Sequence, residues 1–347
     1  MTRGPIWAAL FFVLVGLCAC ADVLAVGTVA TEAREYLQVG ASTFVLKSDR
    51  AVDGRTCENL GNVTGVLGAG ALRSTSQTLV FAATPSSPVP IMESTPGLGT
   101  VLGLAHKPAD GLLVPRSLAD SLGLTKGGNA PVLPPMPGRS AESNEVKIAG
   151  VYEYPEDGRS RDLGYLALAQ VPGADVFDSC WLKLWPPDPE YASSLLRTAL
   201  TSRKAQDATV RQLNSSRGLE FNPSSQYERR PTRYIWIIGL LGGFGLGTVS
   251  ARTRKLELAS NLHAGYPKRR LEGQMLLEGG FWVMSGTLLV SAAVVYLNRL
   301  YGLGLWGISA LGGMKVPLCA ALGALAGVWL ATHTTREEAL FSYFKER

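Results

Sequence analysis

Two long runs without a charged residue lie close together in the sequence, separated by a short basic stretch. Tyr234–Ser250 is the first run and Gly279–Asn298 is the second. Each is near the ~17–25 residues that an α-helix needs to cross the hydrocarbon core of a bilayer. The basic residues between them are Arg252, Arg254, Lys255, Lys268, Arg269 and Arg270. This pattern predicts an α-helical membrane protein.

The basic stretch sets the predicted orientation of the chain. Short loops rich in Lys and Arg are retained in the cytoplasm, so residues 251–273, called the basic loop below, are predicted to be cytoplasmic. Arg252–His263 alternates leucines with polar residues and is predicted to form a short helix along the membrane face. Gly265 is expected to end this helix, because glycine adopts left-handed dihedrals without a Cβ penalty. Pro267 then suits the first turn of the following helix.

Two further apolar runs bring the predicted number of spans to four. Ile6–Ala30 is interpreted as an uncleaved membrane helix, with a cleaved signal peptide as the alternative, because such a signal has a shorter apolar core and a small-residue cleavage site. Its one charge, Asp22, is placed near the outer headgroups by the ~1.5 Å rise per residue, and no role is assigned to it. Val316–Thr332 is the fourth span. Leu300–Met314 is interrupted by glycines and is predicted to be an external loop or interfacial helix.

Both termini are therefore predicted to be cytoplasmic, and the large hydrophilic region between the first two spans to be outside a plasma or inner membrane. Arg229, Arg230 and Arg233 fall outside against the charge bias, which a long translocated region tolerates. Thr335 and Glu338 are a candidate capping box in the tail. The predicted segments are 1–30 (N-terminus and first span), 31–233 (outside), 234–250 (second span), 251–273 (basic loop), 274–298 (third span), 299–315 (external loop), 316–333 (fourth span) and 334–347 (tail).

The hydrophilic region is long enough for one sizeable domain or two smaller ones. Phe44–Leu46 and Leu79–Phe81 are predicted strand pieces, whereas Ser86–Pro90 is predicted to be a proline-rich connection. Gly111–Val132 reads as strand, helix, glycine turn and strand. Asp188 is expected to cap a helix that starts at Pro189. The region is therefore predicted to be an α+β domain inserted between the first and second spans.

Two cysteines, Cys57 and Cys180, lie in this region, where an external location would let a disulfide persist. The sequence does not show whether they meet, so a bridge and two unpaired thiols both stay open.

Small residues recur at every fourth position of two predicted spans. Gly239, Gly243 and Gly247 share one face of the second span, and Gly323 and Gly327 share one face of the fourth. In lipid, such faces favour close helix packing, because small residues let backbones approach. The glycine-rich run around Gly243 is not interpreted as a nucleotide loop, since it lies inside an apolar helix.

Several function classes are disfavoured by the sequence. It contains no G-x-x-x-x-G-K-[S/T] motif, so it does not bind ATP through a P-loop. His106, His263 and His333 are far apart, which disfavours a histidine metal centre or a Ser-His-Asp triad. Acidic and basic residues are nearly balanced between Glu32 and Arg230, so no nucleic-acid surface is indicated. No catalytic, cofactor or metal site is predicted in this chain.

The order of residues around the basic loop resembles that in MacB/FtsX-type ABC-transporter permeases. There, a basic cluster and a glutamate precede a helix ending in Ala-Gly, and more basic residues and a glutamate lead into the third span. The matching residues here are Arg252, Arg254, Lys255, Glu257, Ala264, Gly265, Lys268, Arg269, Arg270 and Glu278. Ser260–His263 departs from the Ala/Gly-rich helix end of the family. The external region is similar to that family's periplasmic domain at Leu122–Leu124, Lys126–Gly128 and Ile148–Val151.

The resemblance implies a permease subunit that acts as a homodimer, or as a heterodimer with a related permease. ATP and Mg²⁺ would be bound by separate ATPase subunits, which would contact Arg252, Arg254, Lys255, Glu257, Gly265, Lys268, Arg269 and Arg270. Cargo would be a peptide, lipid or lipoprotein. The alternatives are an FtsX-like regulator of an external partner such as a cell-wall hydrolase, a membrane receptor or sensor, and a loop whose charges only set topology or contact anionic lipid.

Overall fold

The structure is a computed structural model that describes residues 4–105, 111–133, 145–201, 207–302 and 308–336, with the side chains of 308–312 left out. Within these residues the helices are α1 (Gly4–Gln38), α2 (Gly54–Asn59), α3 (Leu98–Val101), α4 (Arg116–Leu122), α5 (Pro189–Arg197), α6 (Pro223–Arg229), α7 (Ile235–Arg252), α8 (Lys255–His263), α9 (Lys268–Leu300) and α10 (Ile308–His333). The strands are β1 (Thr43–Asp53), β2 (Val66–Phe81), β3 (Val89–Ser94), β4 (Leu112–Pro115), β5 (Asn129–Leu133), β6 (Glu145–Tyr152), β7 (Ala167–Gln170), β8 (Val176–Leu184) and β9 (Thr209–Gln212).

The chain divides into two compact units. A helical unit contains Met1–Glu32 and Pro223–Arg347, and a β-rich unit contains Ala33–Asn222. The β-rich unit lies within the predicted hydrophilic segment 31–233. Residues 223–233, including α6, belong to the helical unit.

Four helices are long and apolar enough to cross a membrane, which confirms the expected number among the described residues. They are α1, α7, α9 and the Gly313–His333 part of α10. α9 runs for 33 residues from Lys268, so one continuous helix includes both the second basic cluster, Lys268–Arg270, and the third span. α10 starts at Ile308, inside the predicted loop 299–315, and the loop is shorter than expected. Glycines suggested a break there, but each costs a helix only about 1 kcal/mol.

A narrow apolar stripe holds the spans together. On α1, Phe11, Val15 and Ala19 recur at every fourth residue and are fully buried. Phe11 meets Trp282 of α9 edge to face, with ring centroids 5.9 Å apart. The opposite surfaces stay exposed, as with Phe281 on α9. That exposure suits helices whose outer faces contact lipid, where apolar side chains gain nothing from burial.

α7 and α10 pack backbone to backbone through their glycines. A Cβ on Gly243 would lie 2.1 Å from the carbonyl oxygen of Ala320, and one on Gly323 would lie 2.1 Å from that of Leu240. Gly247 and Gly327 face the opposite backbone equally closely, at 2.0 and 2.2 Å. Gly239 is less crowded, with its nearest neighbour, Val316, at 3.2 Å. No residue with a side chain fits the four closest positions without moving a helix.

The β-rich unit is built on one nine-stranded sheet in the order β3-β7-β4-β6-β5-β2-β8-β1-β9. A further pairing between β2 and β3 joins β2, β3, β7, β4, β6 and β5 into a closed ring. β2 makes this possible because it is 16 residues long, pairing with β8 in its first half and with β3 and β5 in its second. Strands mixed with short helices agree with the predicted α+β class.

Two elements of this unit differ from the sequence prediction. β3 starts at Val89, inside the expected proline-rich connection Ser86–Pro90, and β2 begins at Val66 although only Leu79–Phe81 was predicted as strand. Glycines in the first half of β2 disfavoured a strand prediction there, and the structure shows why glycine is needed. A Cβ on Gly70 would lie 2.2 Å from the backbone nitrogen of Leu98, so α3 packs directly on the strand.

A disulfide links Cys57 of α2 to Cys180 of β8, with the two Cα atoms 5.8 Å apart. Both cysteines are fully buried in a cluster with Phe44 and Leu182. The bridge joins positions 123 residues apart, so it attaches α2 to β8, an inner strand of the sheet. The alternative of two unpaired thiols does not hold in this structure.

Candidate functional site

The basic loop begins with a tight turn rather than with the expected helix Arg252–His263. Arg252 belongs to the last turn of α7, and α8 starts at Lys255. The backbone N–H groups of Thr253 and Arg254 bond to carbonyls of α7, at 3.0 Å each. These bonds continue the winding of α7 to residue 254, so α8 starts three residues later than predicted.

α8 ends as the sequence indicates. Gly265 has φ of 83°, in the left-handed region. The N–H groups of Gly265 and Tyr266 bond to carbonyls of Leu262 and Asn261, at 3.0 Å each. A Cβ on Gly265 would meet no atom within 4 Å, so backbone conformation alone favours glycine here. α9 starts at Lys268, immediately after Pro267.

Arg254 connects the turn to α8 and to α9. Its Nε and Nη2 donate to the two carboxylate oxygens of Glu257 in α8, at 2.9 and 2.8 Å. Its Nη1 donates to Glu278 of α9. The hydrogen bonds to Glu257, then those to Glu278, raise the pKa of Arg254 above its already high value. A bidentate guanidinium–carboxylate pair has a defined geometry, so Arg254 fixes the position of α8 relative to α9.

The apolar side of α8 strengthens this attachment. Leu258 and Ala259 are buried, and Leu262 packs in the same cluster as Leu271 and Met275 near the start of α9. α8 is therefore held on α9 by packing on one side and by Arg254 at its N-terminal end.

The remaining basic residues divide by exposure. Arg252, Arg269 and Arg270 are exposed, whereas Lys255 and Lys268 are half-buried. Arg254 bonds to two carboxylates, so the basic residues of the loop do not share one environment. The three exposed guanidinium groups are available to an acidic surface, and Arg254 shapes the loop.

A second polar contact at this end of the helical unit was not predicted. Nδ1 of His333 on α10 lies 2.9 Å from Oε1 of Glu272 on α9, and the His333 ring stacks on Trp329 at 5.3 Å between centroids. This contact joins the end of α10 to the beginning of α9. His333 was noted only as an isolated histidine, and its partner is 61 residues away in sequence.

No family model matches the chain, and no curated protein matches it. Among solved structures, the periplasmic region of MacB from Actinobacillus actinomycetemcomitans aligns with a TM-score of 0.34 and 11% identity, over 51% of this chain and 91% of that one. A domain described as part of a permease protein from Porphyromonas gingivalis aligns with a TM-score of 0.33 and 15% identity, over 51% of this chain and 92% of that one.

A buried ion pair lies at the other end of α7. Nε of Arg230 is 3.1 Å from Oδ1 of Asp22 in α1, and their side chains are 11% and 4% exposed. Nη1 of Arg230 also donates to the carbonyl of Tyr227 at 2.8 Å, and the guanidinium lies 4.0 Å from the centre of the Tyr227 ring. The sequence signalled this pair only through two exceptions, an acid inside an apolar run and an arginine against the charge bias.

Within the residues that the structure describes, no group of three or more His, Cys, Asp or Glu side chains could hold a metal ion. His106 and Glu338 lie outside the described residues. In the described part of the helical unit, ion pairs such as Asp22 with Arg230 and Arg254 with Glu278 join one helix segment to another.

Proposed function

We propose that this chain is the transmembrane subunit of an ABC transporter of the MacB/FtsX type. Separate ATPase subunits bind and hydrolyse ATP in the cytoplasm, and their closure moves the outward-facing β-rich unit. The observation that carries the proposal is the bridge from Arg254 to Glu257 and Glu278, which ties α8 to α9 while other arginines of the loop stay exposed.

Force applied to α8 has a defined route through the helical unit. The Arg254 bridge and the buried Leu258 connect α8 to α9. The turn after Arg252 connects α8 directly to α7, and the glycines of α7 hold it against α10. A displacement of the basic loop therefore moves three spans together. Such coupling requires two discrete states whose balance nucleotide binding changes.

The exposed arginines supply the docking chemistry. Arg252, Arg269 and Arg270 would pair with carboxylates on the ATPase, where Arg is suited to bidentate recognition. Two copies of the chain, or this chain and a related permease, would present two loops to two ATPase subunits. Export or extraction of a peptide, lipid or lipoprotein is the proposed outcome of the movement.

The test is to purify the tagged full-length chain from its native host in mild detergent and to quantify co-purifying proteins by mass spectrometry. The wild-type chain is expected to retain an ABC ATPase in a near-stoichiometric amount. Reversing the charges of Arg252, Arg269 and Arg270 together to Glu should remove most of that ATPase without reducing membrane insertion. Arg229→Glu is the matched control, because Arg229 is also exposed but lies outside the basic loop. Equal retention by the triple variant and the control would contradict the docking role.

A second variant separates docking from transmission. Arg254→Gln removes the bridge to Glu257 and Glu278 but leaves the exposed arginines in place. We expect this variant to retain the ATPase. The rate of ATP hydrolysis by the complex should then no longer differ from that of the ATPase alone. If Arg254→Gln kept the wild-type rate, the bridge would not transmit force.

A further inference from the structure

A cavity of about 270 Å³ lies where α6 and the start of α7 meet α1 and α10. It is at the end of α7 away from the basic loop, and 18 residues at ~1.5 Å rise place the two ends about 27 Å apart. That separation is close to the ~30 Å thickness of a hydrocarbon core. If the basic loop is at one headgroup layer, the cavity is therefore at the other.

The cavity wall combines aromatic and cationic side chains. They are Tyr227, Tyr234, Trp236, Arg230, Arg233 and Lys315. Trp and Tyr concentrate at membrane–water interfaces, where one end of the ring is in apolar surroundings and the other reaches water. The composition of the wall therefore agrees with a position at headgroup level.

The cations differ in their availability. Asp22 neutralises Arg230, which forms a fixed part of the wall. Arg233 is exposed and is positioned by the Glu228 carbonyl, 3.4 Å from Nη1, and by the Tyr234 ring, 5.3 Å from its guanidinium carbon. Lys315 is exposed as well and forms no ion pair with any residue in the described ranges. The cavity wall contains two acidic residues, Asp22 and Glu228, and Glu228 is exposed.

We propose that this cavity binds the phosphate of an anionic phospholipid headgroup through Arg233 and Lys315. A guanidinium group can engage a phosphate with two parallel hydrogen bonds, and a lysine adds a point charge. The volume is below the ~300–1,000 Å³ of typical ligand pockets. It accommodates a headgroup, and the acyl chains would remain in the bilayer beside the exposed apolar faces of the helices. This inference depends on the four spans and not on an ATPase partner.

The test is native mass spectrometry of the full-length chain in a neutral detergent, titrated with phosphatidylglycerol, with phosphatidylcholine, or with inorganic phosphate. We expect phosphatidylglycerol to bind more tightly than phosphatidylcholine, and inorganic phosphate to compete only weakly. Replacing Arg233 and Lys315 together by Gln should weaken phosphatidylglycerol binding by about 30-fold, since each basic residue contributes roughly 1 kcal/mol toward an anionic headgroup. Arg229→Gln, an exposed arginine outside the cavity wall, should leave it unchanged.

Three results would overturn the assignment. Equal binding of the two lipids would remove the role of the anionic headgroup. Tight binding of inorganic phosphate alone would assign the cavity to free phosphate. An Arg229→Gln effect as large as that of the double variant would show general attraction without a site. The single variants Arg233→Gln and Lys315→Gln, each expected to weaken binding about fivefold, apply the same test if the double variant does not fold.

Discussion

Asp22 and Arg230 form an ion pair across 208 residues of sequence, with Oδ1 and Nε 3.1 Å apart and both side chains largely buried. Each residue is an exception when taken alone. Asp22 places a carboxylate in an apolar helix, and Arg230 places a cation on the side predicted to be external, against the charge bias. Together they cancel, and the pair fixes the segment before α7 against α1. It also explains why residues 223–233 belong to the helical unit.

Asp22→Asn is predicted to destabilise the helical unit strongly, because it leaves the Arg230 guanidinium buried without a counter-charge. Breaking one side of a buried pair costs about 3–5 kcal/mol. The melting temperature in detergent should fall clearly, whereas Glu228→Gln, at an exposed position nearby, should change it little. The double variant Asp22→Asn/Arg230→Gln should be more stable than either single variant. A double variant with additive losses would show that the pair does not act as a unit.

Gly243→Ala and Gly245→Ala are a matched pair on one helix. A Cβ at Gly243 would lie 2.1 Å from the carbonyl oxygen of Ala320, whereas one at Gly245 would meet no atom within 4 Å. We expect Gly243→Ala to separate α7 from α10 and to lower stability by about 1–3 kcal/mol, the usual cost of overpacking. Gly245→Ala should be neutral or mildly stabilising, because alanine favours helix by up to ~1 kcal/mol. Thermal unfolding of both variants in the same detergent measures the difference, and equal effects would contradict this packing.

Removing the disulfide is predicted to loosen the β-rich unit. Replacing Cys57 and Cys180 together by Ala frees a loop that the bridge closes over 123 residues. The expected loss is roughly 2–5 kcal/mol, mainly because the unfolded chain gains freedom. Unfolding with and without reductant should therefore differ for the wild-type chain and coincide for the double variant. The bridge would be excluded if reductant did not change the stability of the wild-type chain. Alkylation of both Cys57 and Cys180 without reduction would exclude it as well.

The stability of the β-rich unit should depend on acid through Asp157. Its two carboxylate oxygens accept from Nε and Nη2 of Arg159, at 2.8 and 2.6 Å, and Arg159 Nη2 also donates to the carbonyl of Gln38 at 2.9 Å. Burial alone would raise the pKa of Asp157, but the hydrogen bonds and charge of Arg159 outweigh it and hold this pKa below its usual 3.8.

The sign follows from proton binding. Between the two pKa values the unfolded chain binds more protons at Asp157 than the folded chain, so stability falls as the pH falls. The stabilisation should be complete above the usual pKa and should be lost as the pH falls through the lower folded-state value. Asp157→Asn is expected to be less stable at pH 7 and to lose less on acidification to pH 2, as measured by chemical unfolding. Asp49→Asn, at an exposed position on β1, should follow the wild-type curve.

The features that the sequence predicted well depend on residues close together in the chain. Gly265 has the left-handed φ that ends α8, and Asp188 accepts from the N–H of Tyr191 at 3.0 Å, as an N-cap does. The lengths of the apolar runs likewise identify four candidate spans, because bilayer thickness sets a local length requirement.

Features that depend on distant partners were missed or only partly seen. Gly70 looks like a strand breaker until Leu98 is placed against it. Ile308 starts α10 in a stretch whose glycines suggested a loop, and such a choice depends on neighbouring helices as well as on local propensity. The Arg254 bridge to Glu278 spans 24 residues, so its existence could not be deduced from the loop composition. Long-range contacts of this kind distinguish Arg254, which forms the bridge, from Arg252, Arg269 and Arg270, which stay exposed.

Two N-glycosylation sequons, Asn62-Val63-Thr64 and Asn214-Ser215-Ser216, offer a test of both orientation and fold. Asn62 is exposed at the end of a short 3₁₀ helix, Leu60–Asn62, and Thr64 completes its sequon. Asn214 is 1% exposed, and its Nδ2 donates to the carbonyls of Val39 and Asp157, at 3.0 and 3.1 Å. Expressed in a glycosylating secretory pathway, the folded full-length chain should carry a glycan at Asn62 and none at Asn214, because a glycan there would break both bonds. A glycan lowers the mobility of the chain on a gel, and endoglycosidase treatment reverses this change. Asn62→Gln and Thr64→Ala should each abolish the mobility change. A folded chain without any glycan would place the β-rich unit on the cytoplasmic side, and one modified at Asn214 would contradict the packing of this segment.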